Sequence, residues 1–195
     1  MVEFIEDICT KFHLDQTCRT YLAQHLELHF MSKGREIVKQ GAVNRSLYFI
    51  KSGIWRTYVI HHGEEITLWI SLSGDYELSP WGYLKGAPSR YNISTSTSCE
   101  VIEIKHEVIQ HLSQQSPQFA CYMSQLFAEL VLKTDEMLIA LSSPQAIDRY
   151  LALVKQKPEL VLMAPQKELA RFLGITPQSL SRIRAQLKHR SQHAE

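Results

Sequence analysis

The stretch QKELARFLGITPQSLSRIRAQL, residues 166–187, divides into two short amphipathic helices around a tight turn. Leu169 and Leu173 stand one helical turn apart, and Gly174 follows directly, where a residue without a Cβ can enter the left-handed region and stop a helix. Thr176 can cap a second helix with its hydroxyl, and Pro177 takes the first helical position, where a missing N–H costs nothing. Leu180, Ile183 and Leu187 form an apolar stripe able to pack back on Leu169, Ala170 and Leu173. Gln178, Ser181, Arg182 and Ala185 are left facing outward.

With this spacing the stretch resembles a helix-turn-helix. Ala170, Gly174, Leu180 and Ile183 match its small, turn and core positions, and residues 176–187 match its recognition helix. The chemistry suits double-stranded DNA, because a helix fits the major groove, arginine pairs bidentately with guanine and glutamine does so with adenine. Arg182 is the first candidate for a guanine contact, with Gln178 and Ser181 beside it, while Thr176, Ser179, Arg184 and Lys188 are candidates for phosphates. A plain helical hairpin in a core is what two amphipathic helices alone would leave open.

Charge is distributed to match. The 195-residue chain has a net charge of +1, but residues 164–195 hold six Lys/Arg against two acids, so the body before them is slightly acidic. A basic end on an acidic body fits a chain that meets phosphates at that end only. Hydrophobic content of 45% is ordinary for a chain able to bury a core. There is no run of about twenty apolar residues, and the opening MVEFIEDICTKF lacks a signal-peptide pattern, which predicts a cytoplasmic protein without membrane contact. Cys9, Cys18, Cys99 and Cys121 are far apart and form no CxxC pair, so reduced, mostly buried thiols are expected rather than a disulfide framework or a metal site.

Residues 2–12 and 16–26 carry apolar side chains at helical spacing. His25 and His29 would share a helix face if the second helix continued, but ELHFMSKG reads as the start of a strand, and no metal is expected there. From about residue 28 to 105 the period becomes two: REIVKQG, SLYFIKSG, IWRTYVI, EEITLWIS, YNISTSTS and CEVIEIK are short strands punctuated by glycines. Ile66, Leu68 and Ile70 alternate with Thr67, Trp69 and Ser71. Many short strands without intervening long helices imply an antiparallel roll or sandwich, and hence an α+β chain.

This block resembles the cyclic-nucleotide-binding sensor domain of the Crp/Fnr family of transcription regulators. The resemblance rests on Leu47-Tyr48-Phe49-Ile50-Lys51-Ser52-Gly53, on Gly74-Asp75-Tyr76, on Gly86-Ala87-Pro88 and on Glu100 to Ile104, followed by the helix-turn-helix at the expected end. It implies a jelly-roll-like sensor over residues 1–115, a dimerisation helix and hinge over 116–143 and a DNA-binding domain over 144–195. It also implies a homodimer on DNA, with RNA polymerase as a further partner.

The effector loop departs from the family pattern. Leu78-Ser79 stands where members that bind cyclic AMP have Gly-Glu, and Ser89-Arg90 reverses their Arg-Ser order. A buried phosphate without a correctly aimed guanidinium is costly, so cyclic AMP binding in the usual manner is not expected and no cofactor is assigned. Tyr76, Glu77, Ser89, Arg90 and Tyr91 are the residues that would line an effector pocket, and the aromatic ones among them could equally fill it. The family's iron–sulfur members cluster cysteines near the N-terminus, unlike Cys9 and Cys18, and His61-His62 beside Gly63 reads as a hairpin tip rather than a haem ligand.

Residues 117–141 form a long helix on which Phe119, Met123, Leu126, Leu130 and Met137 make one seam, read as the dimer contact. Ser142-Ser143-Pro144 ends it at a hinge. After Leu187, KHRSQHAE reads as a basic, partly disordered end without room for a β-hairpin wing. A second function class, a small-molecule β-roll sensor or enzyme with a helical tail for protein contacts, finds less in the sequence. The strands offer no His and carboxylate ligand set, and no nucleophile and base pair or phosphate-cradling glycine loop is present.

Overall fold

The computed structural model describes residues 1–11 and 13–192, so Phe12 and residues 193–195 lie outside the described part. Helices α1 (Val2–Lys11) and α2 (Gln16–His25) come first, the second capped by Asp15, whose carboxylate accepts from the Cys18 N–H at 2.8 Å. Strands β1 (Glu27–Met31), β2 (Glu36–Val38), β3 (Leu47–Ser52), β4 (Trp55–His61), β5 (Glu64–Ser71) and β6 (Tyr76–Leu78) follow. A short helix α3 (Pro80–Lys85) separates them from β7 (Asn92–Thr95) and β8 (Cys99–Ile104). The rest is helical: α4 (His106–Gln115), α5 (Pro117–Leu141), α6 (Ala146–Gln156), α7 (Pro158–Met163), α8 (Gln166–Phe172) and α9 (Pro177–Gln192).

The strands form two four-stranded sheets, ordered β1-β8-β3-β6 and β2-β7-β4-β5, with antiparallel pairing throughout. This is the expected α+β roll. His62 (φ 50°) and Gly63 (φ 82°) supply the paired positive φ values that a two-residue hairpin between β4 and β5 needs. The His61-His62 pair therefore is a turn tip.

Period-two alternation gives the first sheet two apolar faces. Its inward residues Met31, Tyr48, Ile50, Cys99 and Val101 meet Val38, Trp55 and Ile93 of the second sheet in a core between the layers. Its outward residues Leu47, Leu78, Ile102 and Ile104 lie under α1, α2, α4 and the first half of α5. A third core joins Ile54, Ile70 and Leu72 of the roll to Met137 and Ala140 of α5 and to the helices α6 to α9. Cys9, Cys18 and Cys99 are buried and Cys121 is exposed, and burial raises the thiol pKa values of Cys9 and Cys18.

Several expectations are corrected. The seam Phe119, Met123, Leu126 and Met137 is buried against the chain's own roll and the helices around it, with Leu130 partly covered beside it. The outward side chains of α5 are Val131, Leu132, Leu138 and Ile139, exposed by 63–67%. The helix carries two apolar stripes, and the roll takes the one that reads more regularly. On β5, Ile66 and Leu68 are exposed while Thr67 is buried, because a register shift between Thr57 and Tyr58 and the docking of α8 decide which side is covered. Residues 79–86 contain a helix rather than open loop: Ser79 caps α3 and Pro80 starts it. The end after Leu187 continues as α9 through Gln192. Among the described residues no helix is long and apolar enough to cross a membrane.

Candidate nucleic-acid interface and sensor core

The turn between α8 and α9 forms as its residues dictate. Gly174 adopts φ 66°, its N–H and that of Ile175 close the end of α8 on the Arg171 and Ala170 carbonyls, and the Ser179 N–H donates to the Thr176 hydroxyl at 3.1 Å. Leu180 is fully buried against Leu169, Ala170 and Leu173, and Ile183 and Leu187 pack at the margin of the same core. Gln178, Ser181, Arg182 and Lys188 consequently stand on the exposed side of α9, and Thr176 is exposed at its start. Ser181 is not idle: its hydroxyl donates to the Pro177 carbonyl at 3.1 Å and accepts from Gln166 Nε2 at 2.7 Å, so Gln166 ties α8 to α9.

Arg184 sits differently from its neighbours. Its Nη2 donates to the Val161 carbonyl at 2.9 Å and its Nε to the Tyr150 hydroxyl at 3.3 Å, which commits the guanidinium to α6 and α7. Arg149, which sequence reasoning passed over, makes a similar link from α6. Its Nε and Nη2 donate to the Leu173 carbonyl (3.1 and 2.8 Å), and its Nη1 to the carbonyls of Ser143 and Pro144 (2.8 and 3.0 Å). One side chain thus ties the break between α5 and α6 to the turn of the helix pair.

The helix pair is also clasped to the roll. Arg56 on β4 grips Glu65 on β5 in a bidentate pair at 2.8 and 3.1 Å and reaches Glu168 on α8 at 3.2 Å. The Thr67 hydroxyl donates to the same Glu168 at 3.3 Å, and Arg171 of α8 closes the ring on Glu65. Hydrogen bonds from Arg56 pull the Glu65 carboxyl below its usual range. Elsewhere on the roll, Lys157 bonds Asp75 at 2.8 Å while Lys133 of α5 stands 3.8 Å from it. None of this was visible in the sequence, because each charge taken singly reads as a solvated surface residue.

The five sensor candidates do not form one site: Glu77, Ser89 and Tyr91 lie near one another, while Tyr76 and Arg90 turn elsewhere. Tyr76 faces α5, where its hydroxyl meets that of Tyr122 at 2.7 Å and its ring lies beside Phe49. Glu77 points the other way and accepts from the Ser71 hydroxyl and, at 3.3 Å, from the Leu78 N–H. Although Glu77 keeps some accessible surface, the groups crowded around its carboxyl desolvate it and raise its pKa to about 7 against the opposing hydrogen bond from Ser71. The Tyr91 hydroxyl donates to the Leu78 carbonyl at 3.4 Å, and burial, with the nearby Glu77 charge, raises its pKa. Ser89 is buried and its hydroxyl donates to the Tyr91 carbonyl at 2.7 Å. Arg90 is exposed and stacks its guanidinium 3.7 Å over the Trp81 ring, away from the layer between the sheets. That layer is filled by side chains, with Tyr48 and Trp55 at 5.4 Å between ring centroids.

Comparison with known proteins agrees with this geometry. Residues 28–116 match the cyclic nucleotide-binding domain family. The chain is 26% identical over 192 residues to the fumarate and nitrate reduction regulatory protein of Vibrio cholerae, covering 92% of this chain and 76% of that protein. Among solved structures it is similar to FixK2 from Bradyrhizobium japonicum, with a TM-score of 0.72 at 18% identity over 85% of this chain and 86% of that one. It is likewise similar to a Crp/Fnr-family transcriptional regulator from Eubacterium rectale, with a TM-score of 0.68 at 18% identity over 91% and 85% of the two chains. The first of these relatives is a regulatory protein and the last a transcriptional regulator. Residues 28–116 thus match the cyclic nucleotide-binding domain family, and the order of roll, long helix and helix pair is that of the Crp/Fnr-type regulators which the chain resembles across nearly its whole length.

Proposed function

We propose that the chain works as a homodimer that reads a two-fold DNA site with α9 and is switched by a signal other than cyclic AMP held in the usual family manner. The observation that carries the reading is the two-sidedness of α9: Leu180 is fully buried, while Gln178, Ser181, Arg182 and Lys188 are presented on the opposite side. In the major groove Arg182 reads guanine, Gln178 and Ser181 contact neighbouring base edges, and Thr176, Ser179 and Lys188 hold phosphates. Arg184 leaves the phosphate set, since its donors are used inside the domain.

The second subunit is assigned to Val131, Leu132, Leu138 and Ile139 of α5, an apolar patch at helical spacing that is too exposed to stay uncovered without cost. A dimer so formed sets two α9 helices about one DNA turn apart. The effector argument rests on Arg90, stacked outside on Trp81, and on Ser79, whose hydroxyl caps α3. RNA polymerase is the further partner that a regulator of this kind implies.

Selection from randomised duplexes tests the reading. It should enrich an inverted repeat with half-site centres about 10 base pairs apart, with cyclic AMP making no difference. Failure to enrich any sequence would refute the DNA assignment, and enrichment only with cyclic AMP would refute the effector assignment.

A further inference from the structure

On the inward face of the first sheet, at the end of the β1/β8 pair, two glutamates stand directly opposite each other. Glu27 and Glu103 are ladder partners, and His29 lies two residues along β1 on the same face. Like charges in directly opposed positions destabilise an antiparallel pair unless a cation stands between them. Here the carboxylates turn one oxygen each toward the imidazole: His29 Nε2 lies 3.0 Å from Glu103 Oε2 and 3.6 Å from Glu27 Oε2. That nitrogen is screened from solvent and makes no hydrogen bond of acceptable geometry.

The other oxygens are held from behind. Glu103 Oε1 accepts from the Ser46 hydroxyl and, at 3.4 Å, from the Tyr48 hydroxyl, which in turn accepts from Asn44 Nδ2 at 2.9 Å. Glu27 Oε1 accepts from Lys105. The Glu103 carboxylate is therefore oriented by outer partners, as ligand carboxylates around protein-bound metals are, while Lys105 stands at Glu27 as a competing cation. Ligand bonds of about 2.0–2.2 Å at tetrahedral or octahedral angles place neighbouring donors roughly 3–3.6 Å apart, which is the separation His29 Nε2 shows to both glutamates.

We infer that Glu27, His29 and Glu103 form a binding site for a first-row divalent transition ion such as Zn2+, with its remaining coordination positions open to water. One imidazole nitrogen and two carboxylate oxygens suit borderline ions of this series, and Glu27, the most exposed of the three, opens the site to solvent. The position matters for the regulator, because Glu103 is tied through Ser46, Tyr48 and Asn44 to the segment that leads into β3 of the sensor core. No metal was expected from the sequence, since β1 and β8 bring the ligands together across more than seventy residues.

The test is calorimetric titration of the full chain with Zn2+, in a Cys121→Ser background that removes the exposed thiol. One ion per chain is expected, bound at least tenfold more weakly in His29→Gln and in Glu103→Gln. Lys105→Met, which removes the rival cation from Glu27, should tighten binding, so a loss of affinity caused by misfolding cannot imitate the full pattern. Circular dichroism of the ion-free variants should match the parent. Absence of saturable binding at millimolar Zn2+, or equal affinity in the parent and the His29 and Glu103 variants, would overturn the site.

Discussion

Ile139→Asp separates the two faces of α5. Ile139, with Val131, Leu132 and Leu138, keeps 63–67% of its surface exposed. Complete burial of such a side chain contributes about 1.5–3 kcal/mol, so covering the part still open is worth about 1–2 kcal/mol for each. A two-fold interface uses every residue twice, and one substitution thus removes about 2–4 kcal/mol of apolar burial before the cost of dehydrating two carboxylates is added. At about 1.4 kcal/mol per factor of ten, the dimer dissociation constant should rise roughly thirty- to several-hundred-fold. Sedimentation equilibrium measures it, and circular dichroism should show an unchanged fold, because the side chain lies outside the buried clusters of its own subunit. Leu126→Ala is the contrasting variant: Leu126 is buried in its own chain, so truncation should lower stability by about 2–5 kcal/mol without weakening the association of folded chains. An Ile139→Asp protein that keeps the parent dissociation constant, or a folded Leu126→Ala protein that has become monomeric, would refute the assignment of the outer stripe.

Two arginines on α9 should behave oppositely. Arg182→Ala is expected to relax base preference at one position of each half-site and to cost about 1–3 kcal/mol of binding, read by competition between site variants. Arg184→Ala should leave preference unchanged and lower domain stability by about 1–3 kcal/mol, because the Val161 carbonyl and Tyr150 hydroxyl lose their donor. Glu77 makes stability depend on pH. Burial raises its pKa to about 7 in the fold against 4.5 for a free glutamate, so the folded state holds a proton that the unfolded state has lost, and stability falls as pH rises from about 4.5 to 7. The loss amounts to about 3 kcal/mol at most, and denaturation of Glu77→Gln across that window should show a flatter profile. Gly53 has φ 98°, and a Cβ there would stand 2.4 Å from Cys99 Sγ and 2.6 Å from the Ser98 carbonyl oxygen. Gly53→Ala should therefore cost about 2–5 kcal/mol in chemical denaturation.

The parts of the fold that could be read from the sequence are those set by local rules. The Gly174 stop, the Thr176 cap and the strand alternation each depend on neighbours within a few residues, and the long helix over 117–141 and the break at 142–144 formed where expected. The helix α3 was also legible, since Ser79 and Pro80 are a cap and a first-turn proline, but its loop context hid them. The face proposed for the second subunit was not legible, because α5 is apolar on two sides and periodicity does not say which side the roll takes. Nor was the position of Arg90, which depends on Trp81 lying within its reach outside the roll. The clasp among Arg56, Glu65, Glu168 and Arg171 joins residues up to 112 positions apart, and no local pattern records it.

That clasp changes how strongly the reader should respond to ionic strength. The sequence assigns residues 164–195 six cations, yet Arg171 is paired with Glu65 and Arg184 is turned into the domain. In a two-fold dimer four cations are thereby withdrawn from the set that displaces counterions, and with each phosphate contact contributing about 0.9 to the slope of log affinity against log salt, the slope should be shallower by about 3–4 than a charge count predicts. Binding to arbitrary DNA, which such contacts sustain, is weakened in the same measure. The protein then spends less time held on sequences it does not recognise, and its preference for its own site survives over a wider range of salt.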